Sequence, residues 1–196
     1  MKLPIHGFVL AGGRSSRMGC DKALLYFRNR PMVEIAVTTL TDLCEHVSIA
    51  GNRDDLQEFA PIVHETRCGQ GPIAGIEAGL AACESAWALF VPVDLPLLSS
   101  SFVRSWIEAV LIRPATRASY LCSSGDPHPA LCLLRRDCLP DVSQSIEIGK
   151  RRVSSVLELI EGLWVADASM FAEASICKVS LTNVNTSDEL RIAETA

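Results

Sequence analysis

Residues 10–22 read LAGGRSSRMGCDK. The stretch closes an apolar run with Leu10 and Ala11, sets Gly12 beside Gly13, and follows them with Arg14, Arg17 and Lys22. Glycines lack a Cβ, so their backbone N–H groups approach a ligand closely and tolerate positive φ, while guanidinium and ammonium groups offset phosphate charge. The combination suits a nucleoside triphosphate. Two commoner nucleotide loops do not fit. GxGxxG is absent, and Gly13 and Gly19 enclose five residues where a Walker loop encloses four, with Lys22 three positions beyond Gly19 instead of next to it.

Outward from this loop, short β-rich apolar runs alternate with longer amphipathic stretches, the pattern of an α/β sheet covered by helices. Strands are expected at 6–10, 47–50, 61–64, 87–93, 119–122, 130–134 and 163–166, with a turn at Gly125-Asp126. Helices are expected at 31–43, 54–59, 72–83, 99–111, 151–160 and 186–193. Pro72 suits a first helical turn, where its missing N–H costs little, and Ser99 to Ser101 can cap the helix that follows. Trp87 to Val93 is almost wholly apolar and reads as a buried central strand, and Asp94 follows it at once.

A length of 196 residues, 48% hydrophobic and only 6% aromatic, fits one globular domain with an aliphatic core. The net charge of −5 argues against broad nucleic-acid or membrane-surface binding, and no apolar run reaches membrane-spanning length. The eight cysteines are scattered without CxxC spacing, which favours thiols in a reducing cytosol over disulfides or zinc. His6, His46 and His64 lack metal-ligand spacing.

Ligands of open α/β sheets gather beyond the carboxyl ends of the strands, where both the glycine loop and Asp94 fall. From its segment alone, VPVDLP, Asp94 is either a turn or cap residue or a metal ligand. Leu10 to Gly13, Arg17 to Gly19 and Lys22 together resemble the signature LAGGxSxRMGxDK of the molybdenum cofactor guanylyltransferases. Gly69 to Ile76, GQGPIAGI, is similar to the same family's GQGPLAGI, and Asn183 to Leu190, NVNTSDEL, to its NVNTPEEL. The local reading of the last segment is a helix cap at Thr186 or Ser187, and the resemblance adds Asn183 or Asn185 near metal and phosphates. Two departures stand out. Glu65 replaces an aspartate that contacts the nucleotide, and Ala50 replaces the first asparagine of an NANR-like segment in which Asn52 and Arg53 are retained. For those two, a solvated loop is an equal reading.

The resemblance runs from Leu10 to Leu190 and implies a three-layer α/β/α, Rossmann-like nucleotidyltransferase fold with a mainly parallel sheet, one domain over residues 1–196. It implies transfer of GMP from GTP to the terminal phosphate of molybdenum-molybdopterin, in the cytoplasm and with Mg²⁺ on Asp94. Arg17, Lys22 and Asp94 are the implied catalytic residues. Leu10, Ala11, Gly12, Gly13, Lys22, Glu65 and Asp94 are the implied GTP contacts, and Gly12 is the expected point of selection for guanine over cytosine. His128, with the basic patches Arg135-Arg136 and Lys150 to Arg152, resembles segments expected to receive the anionic pterin phosphate. The resemblance leaves room for transient contacts with proteins that deliver the cofactor or accept the product. The rivals are a cytidylyltransferase for the same pterin, an enzyme activating another small phosphate, and a nucleotide-binding protein without turnover.

Overall fold

Strand β1 (Leu3–Leu10) sends Ile5 and Val9 to one face and Phe8 and Leu10 to the other, the two-residue period of a strand buried on both sides. The computed structural model describes residues 1–12, 21–67, 69–184, 189, 190 and 193. Two short strands, β2 (Tyr26–Phe27) and β3 (Arg30–Pro31), form a ladder of their own. The main sheet is completed by β4 (Cys44–Ala50), β5 (Ile62–Val63), β6 (Trp87–Pro92), β7 (Ala118–Ser123), β8 (Asp126–Arg135) and β9 (Leu163–Asp167). Its order is β5-β4-β1-β6-β8-β7-β9, and only β8 runs against its neighbours.

Helices α1 (Met32–Leu43), α3 (Ser100–Leu111) and α6 (Ala174–Ser180) cover one face, burying Val33, Leu40, Phe102, Trp106 and Cys177 with Ile5 and Val9. Helices α2 (Pro72–Ala82), α4 (Leu139–Glu147) and α5 (Val153–Leu157) cover the other, burying Ile76, Leu80, Val142, Ile146 and Val156 with Phe8 and Phe90. The result is the three-layer α/β/α, mainly parallel arrangement that the sequence implies.

Most expected elements fall where the pattern puts them, with ends that shift. Ser99 caps α3 by accepting from the Phe102 N–H at 3.4 Å. The 54–59 helix is a 3-10 turn at Asp54–Leu56, and the helix expected from Arg151 starts at Val153. The β7-β8 turn is Ser124-Gly125, both at positive φ, which is the backbone that a two-residue hairpin requires. Helix α4 and helix α6 were not expected. The first is one-sided, burying Val142, Ser145 and Ile146, but it is only nine residues long and polar overall, so it does not stand out in the sequence. Of the terminal helix expected at 186–193, only positions 189, 190 and 193 are described.

The ladder of β7 with β8 is irregular. Pairing runs to Tyr120↔Cys132 and then jumps to Leu121↔His128, so residues 129–131 face no partner on β7. Pro127 and Pro129 have no N–H for a ladder, and pairing of β8 with β6 also stops at Phe90↔Cys132. The sheet therefore splits beyond that point, and a cleft opens between the end of β6 and the first half of β8.

Six cysteines among the described residues, Cys44, Cys83, Cys122, Cys132, Cys138 and Cys177, are free thiols. Among the described residues no helix is long and apolar enough to cross a membrane.

Helix α2 lies against the sheet through Gly79, under Phe8 and Phe90, whose rings stack with centroids 5.3 Å apart. A Cβ at Gly79 would come 2.5 Å from Phe90 Cε1 and 3.1 Å from Phe8 Cγ. Overpacking typically costs about 1–3 kcal/mol, whereas exchanging a helical glycine for alanine returns at most about 1 kcal/mol. Gly79→Ala should therefore lower Tm by several degrees in thermal unfolding. An unchanged or raised Tm would mean that helix propensity outweighs the ring contact.

Candidate active site

The chain leaves β1 toward β4 and β5 on one side and reaches β6 on the other, so the switch point of the sheet lies between β1 and β6. Leu10 is in register with Ala50 on β4 and Pro92 on β6. Beyond the strands the backbones stay tied: Ala11 N–H donates to Ala50 O at 3.2 Å, Val93 N–H to Leu10 O at 3.3 Å and Gly51 N–H to Val63 O at 3.0 Å. This zipping brings Leu10 to Gly12, Ala50 to Arg53, Glu65 and Asp94 to one edge.

Lys22 opens a 3-10 turn (Lys22–Leu24) capped by Asp21, whose carboxylate accepts from Ala23 N–H at 3.0 Å. Its Nζ donates to Asp94 Oδ2 at 3.5 Å, with each side chain 21% exposed. Burial pushes the Asp94 carboxyl above its ordinary range, and the Lys22 ammonium opposes that push. The Asp94 carbonyl accepts from Val184 N–H at 2.9 Å, which brings the 183–184 segment to this edge.

Glu65 is held by its backbone. Asn52 Oδ1 accepts from Glu65 N–H at 3.1 Å, and Asn52 Nδ2 donates to Glu65 O at 3.4 Å. The Glu65 carboxylate lies against the bare Cα atoms of Gly12 and Gly75: a Cβ at Gly12 would stand 2.5 Å from Oε1, and one at Gly75 3.4 Å. Burial also raises the Glu65 carboxyl. Arg53 turns inward to Asp21 and Asp55. Asn52 and Arg53 thus have defined partners on both sides of the site, which the solvated-loop reading of the sequence did not assign. The signal available was their position two and three residues beyond a strand end, where the nucleotide loop also lies.

The cleft beside β6 has a volume of about 500 Å³, a usual size for an organic ligand. Asp94, Pro72 and Asn183 stand along it, Pro127 to Leu131 form a wall from the unpaired part of β8, and Arg151 to Ser154 flank it. Burial lowers the pKa of His128, against the opposing charge of Asp126. The two expected basic patches separate here. Arg151 and Arg152 border the cleft, but Arg135 pairs with Trp87 at the start of β6, the far end of the sheet from Asp94. Seven strand residues at roughly 3.3 Å each put Arg135 about 20 Å from His128. It is ion-paired with Asp137 at 2.7 Å in a separate hollow with Ala86 and Arg136. Adjacency in sequence placed Arg135-Arg136 at the site, and the length of β8 removes them from it. Gly13, Arg17 and Asn185 lie outside the described residues.

Asp94 offers one carboxylate to a divalent metal that a nucleotide's phosphates would share. Mg²⁺ is commonly held by one or two carboxylates, substrate phosphates and water, and Asp94 is a largely buried carboxylate with a cation beside it. The charge of Glu189 reaches Asp94 as well. Among the described residues no three His, Cys, Asp or Glu side chains converge as a protein-only cage.

A sheet with this switch point, a lysine and a carboxylate facing each other beside it, and a ligand-sized cleft suit a phosphate-bearing ligand, and the similarities to known proteins make the class a nucleotidyltransferase. Residues 7–163 match the family model described as the MobA-like NTP transferase domain. The molybdenum cofactor guanylyltransferase of Polynucleobacter asymbioticus is 32% identical over 98% of this chain and 96% of its own length. That of Vibrio vulnificus is 30% identical over 93% and 91%. Molybdopterin-guanine dinucleotide biosynthesis protein A from Archaeoglobus fulgidus, at 20% identity, shares the fold with a TM-score of 0.79 over 97% of both chains. The chain therefore belongs to the molybdenum cofactor guanylyltransferase family.

The contact between Gly12 and Glu65 generates a test. Gly12→Ala must displace the Glu65 carboxylate, and because that is the far end of a flexible side chain the cost belongs at the low end of overpacking, about 1 kcal/mol or a roughly fivefold loss in kcat/KM for GTP. Adding Glu65→Asp withdraws the carboxylate by one methylene and should recover part of the loss. Without recovery in the double variant, Glu65 is not the obstacle, and comparison with CTP then tells whether the base or the loop backbone is affected.

Proposed function

We propose that this chain transfers GMP from GTP to the terminal phosphate of molybdenum-molybdopterin, forming the guanine dinucleotide cofactor and pyrophosphate. The observation that carries the reading is the Lys22–Asp94 pair at the sheet's switch point, on the edge of a cleft with room for a second ligand. An oxygen of the pterin phosphate attacks the α-phosphorus of GTP, and the bond from that phosphorus to the oxygen bridging to the β-phosphate breaks. A phosphate monoester has a second pKa near about 6, so the nucleophile is already ionised at neutral pH and needs no general base. The demand on the protein is charge and alignment.

Leu10 to Gly13 are assigned to the base and ribose through their backbone, with Glu65 beside them. Lys22 is assigned to the phosphates, where a triphosphate offers its ammonium more negative charge than Asp94 alone. Arg17 joins it on the strength of its place in the motif. Asp94 would hold Mg²⁺, which supplies neutralisation of the transferring and leaving phosphoryl groups. The acceptor's anionic end goes to Arg151 and Arg152, and its rings to the apolar wall from Pro127 to Leu131. The protein works as one domain in the cytoplasm, a setting consistent with its described free thiols.

The deciding experiment incubates purified protein with Mg²⁺, molybdenum-loaded pterin and each nucleoside triphosphate in turn, and identifies the dinucleotide by mass spectrometry. GTP alone should yield product. A cytosine product would return the cytidylyltransferase reading, and binding without pyrophosphate release would return the non-catalytic one.

Lys22→Ala should lower kcat/KM by about a hundredfold, the scale of losing one charge-stabilising group, without changing the fold. Asp94→Asn keeps the shape and removes the charge, so turnover should fall and the Mg²⁺ concentration needed for half-maximal rate should rise. An unchanged Mg²⁺ dependence would remove Asp94 as the ligand.

A further inference from the structure

Asp21 and Lys22 are neighbours in sequence but face different partners. Lys22 reaches Asp94, while the Asp21 carboxylate caps the turn that Lys22 begins. Asp21 is itself gripped from outside that turn by Arg53, 32 residues further along, just past the end of β4. Arg53 Nη1 donates to Asp21 Oδ1 at 3.1 Å, and Nη2 is paired with Asp21 Oδ2. The other edge of the guanidinium holds Asp55, through Nε at 2.9 Å and Nη2 at 2.7 Å. Only 11% of the Arg53 side chain is exposed, whereas Asp55 is 53% exposed. Asp55 therefore anchors the guanidinium from the solvent side, and the inner edge is left to orient Asp21. A planar fork that bonds two carboxylates at once is something an ammonium cannot reproduce.

We propose, resting on the reading that Lys22 serves the triphosphate, that Arg53 is a positioning residue for Lys22. Through Asp21 it fixes the 3-10 turn whose first residue is Lys22, and so holds the ammonium at the Asp94 end of the cleft. The line of contacts is continuous: Asp55 to Arg53, Arg53 to Asp21, Asp21 to the backbone of Ala23, and Lys22 to Asp94. The chain of bonds runs from a strand end to the turn, so the order of β4 is passed to a side chain that sits on no strand or α-helix of its own. A mere brace of the fold would act on the site whatever occupied position 22. A positioning residue acts only while Lys22 is present.

A double-mutant cycle separates the two, read as GTP affinity by calorimetry in the presence of Mg²⁺ so that no turnover is needed. Arg53→Met should weaken GTP binding by about tenfold in the otherwise wild-type chain, the scale of removing one charge-assisted hydrogen bond to a phosphate. In the Lys22→Ala background the same change should cost less than about twofold. Arg53→Lys should recover part of the loss, because it keeps one of the two carboxylate partners. Equal losses in both backgrounds overturn the proposal and make Arg53 a brace or a direct contact. Should Arg53→Met fail to fold by thermal unfolding, Asp21→Asn takes its place in the same cycle with the same two outcomes. A Lys22→Ala variant that binds GTP as tightly as wild type is seen before any double variant is made. It removes both the Lys22 assignment and the positioning role, whereas equal losses with an impaired Lys22→Ala remove the second alone.

Discussion

The register of β1 between β4 and β6 is the constraint on which the site depends. Leu10 stands level with Ala50 and Pro92, and the backbone bonds beyond those pairs continue the alignment to Ala11, Gly51 and Val93. Side chains alternate along a strand, so a slip of one residue would turn Phe8 and Leu10 to the opposite layer and carry the glycine loop and Asp94 out of line. The burial of both faces prevents the slip. Phe8 and Phe90 stack over Gly79 on one side while Val9 and Val91 pack on the other. Core packing far from any ligand thus sets where the carboxylate faces the lysine.

Two carboxyl groups at this edge, Asp94 and Glu65, are both pushed up by burial, yet they are handled differently. Asp94 has a cation beside it, while the Glu65 side chain lies against glycine Cα atoms and its backbone is pinned by Asn52. A desolvated carboxylate gains from any ligand that brings it positive charge or an N–H donor. The first environment therefore suits phosphate and metal chemistry, where charge is exchanged between partners, and the second suits a neutral ligand edge with donors to offer.

The sheet was legible because strands buried on both faces are near-continuous apolar runs, and the segment WALFVP declares itself as one. The glycine loop and Asp94 were legible as chemistry placed directly after such runs. Helix α4 was not, since its one-sided pattern spans only nine residues of a segment that is polar overall. Arg135 and Arg136 were misplaced for a related reason: a sequence shows that they follow His128 closely, but not that a ten-residue extended strand carries them to the opposite end of the sheet. Arg53 reads in sequence as a retained motif residue or a solvated loop residue, but its partner was not legible. Nothing in the residues beside it announces Asp21, and only the fold brings the two together.

The two departures from the family motifs meet in space, which no linear reading could have found. Glu65 Oε1 and the Ala50 Cβ both border the Cβ position of Gly75, at 3.4 Å and 3.6 Å. A glutamate extends its carboxylate one methylene further than an aspartate, and an alanine leaves free the volume that an asparagine side chain would occupy. Gly75 completes the arrangement: α2 comes so close to Leu10 that a Cβ there would stand 3.0 Å from Leu10 Cδ2. The carboxylate lies between two glycine Cα atoms, while the Asn52 clamp fixes the backbone from which the side chain extends. Positions 50 and 65 thus both face the glycine at 75, on the side of α2 that meets the end of β1.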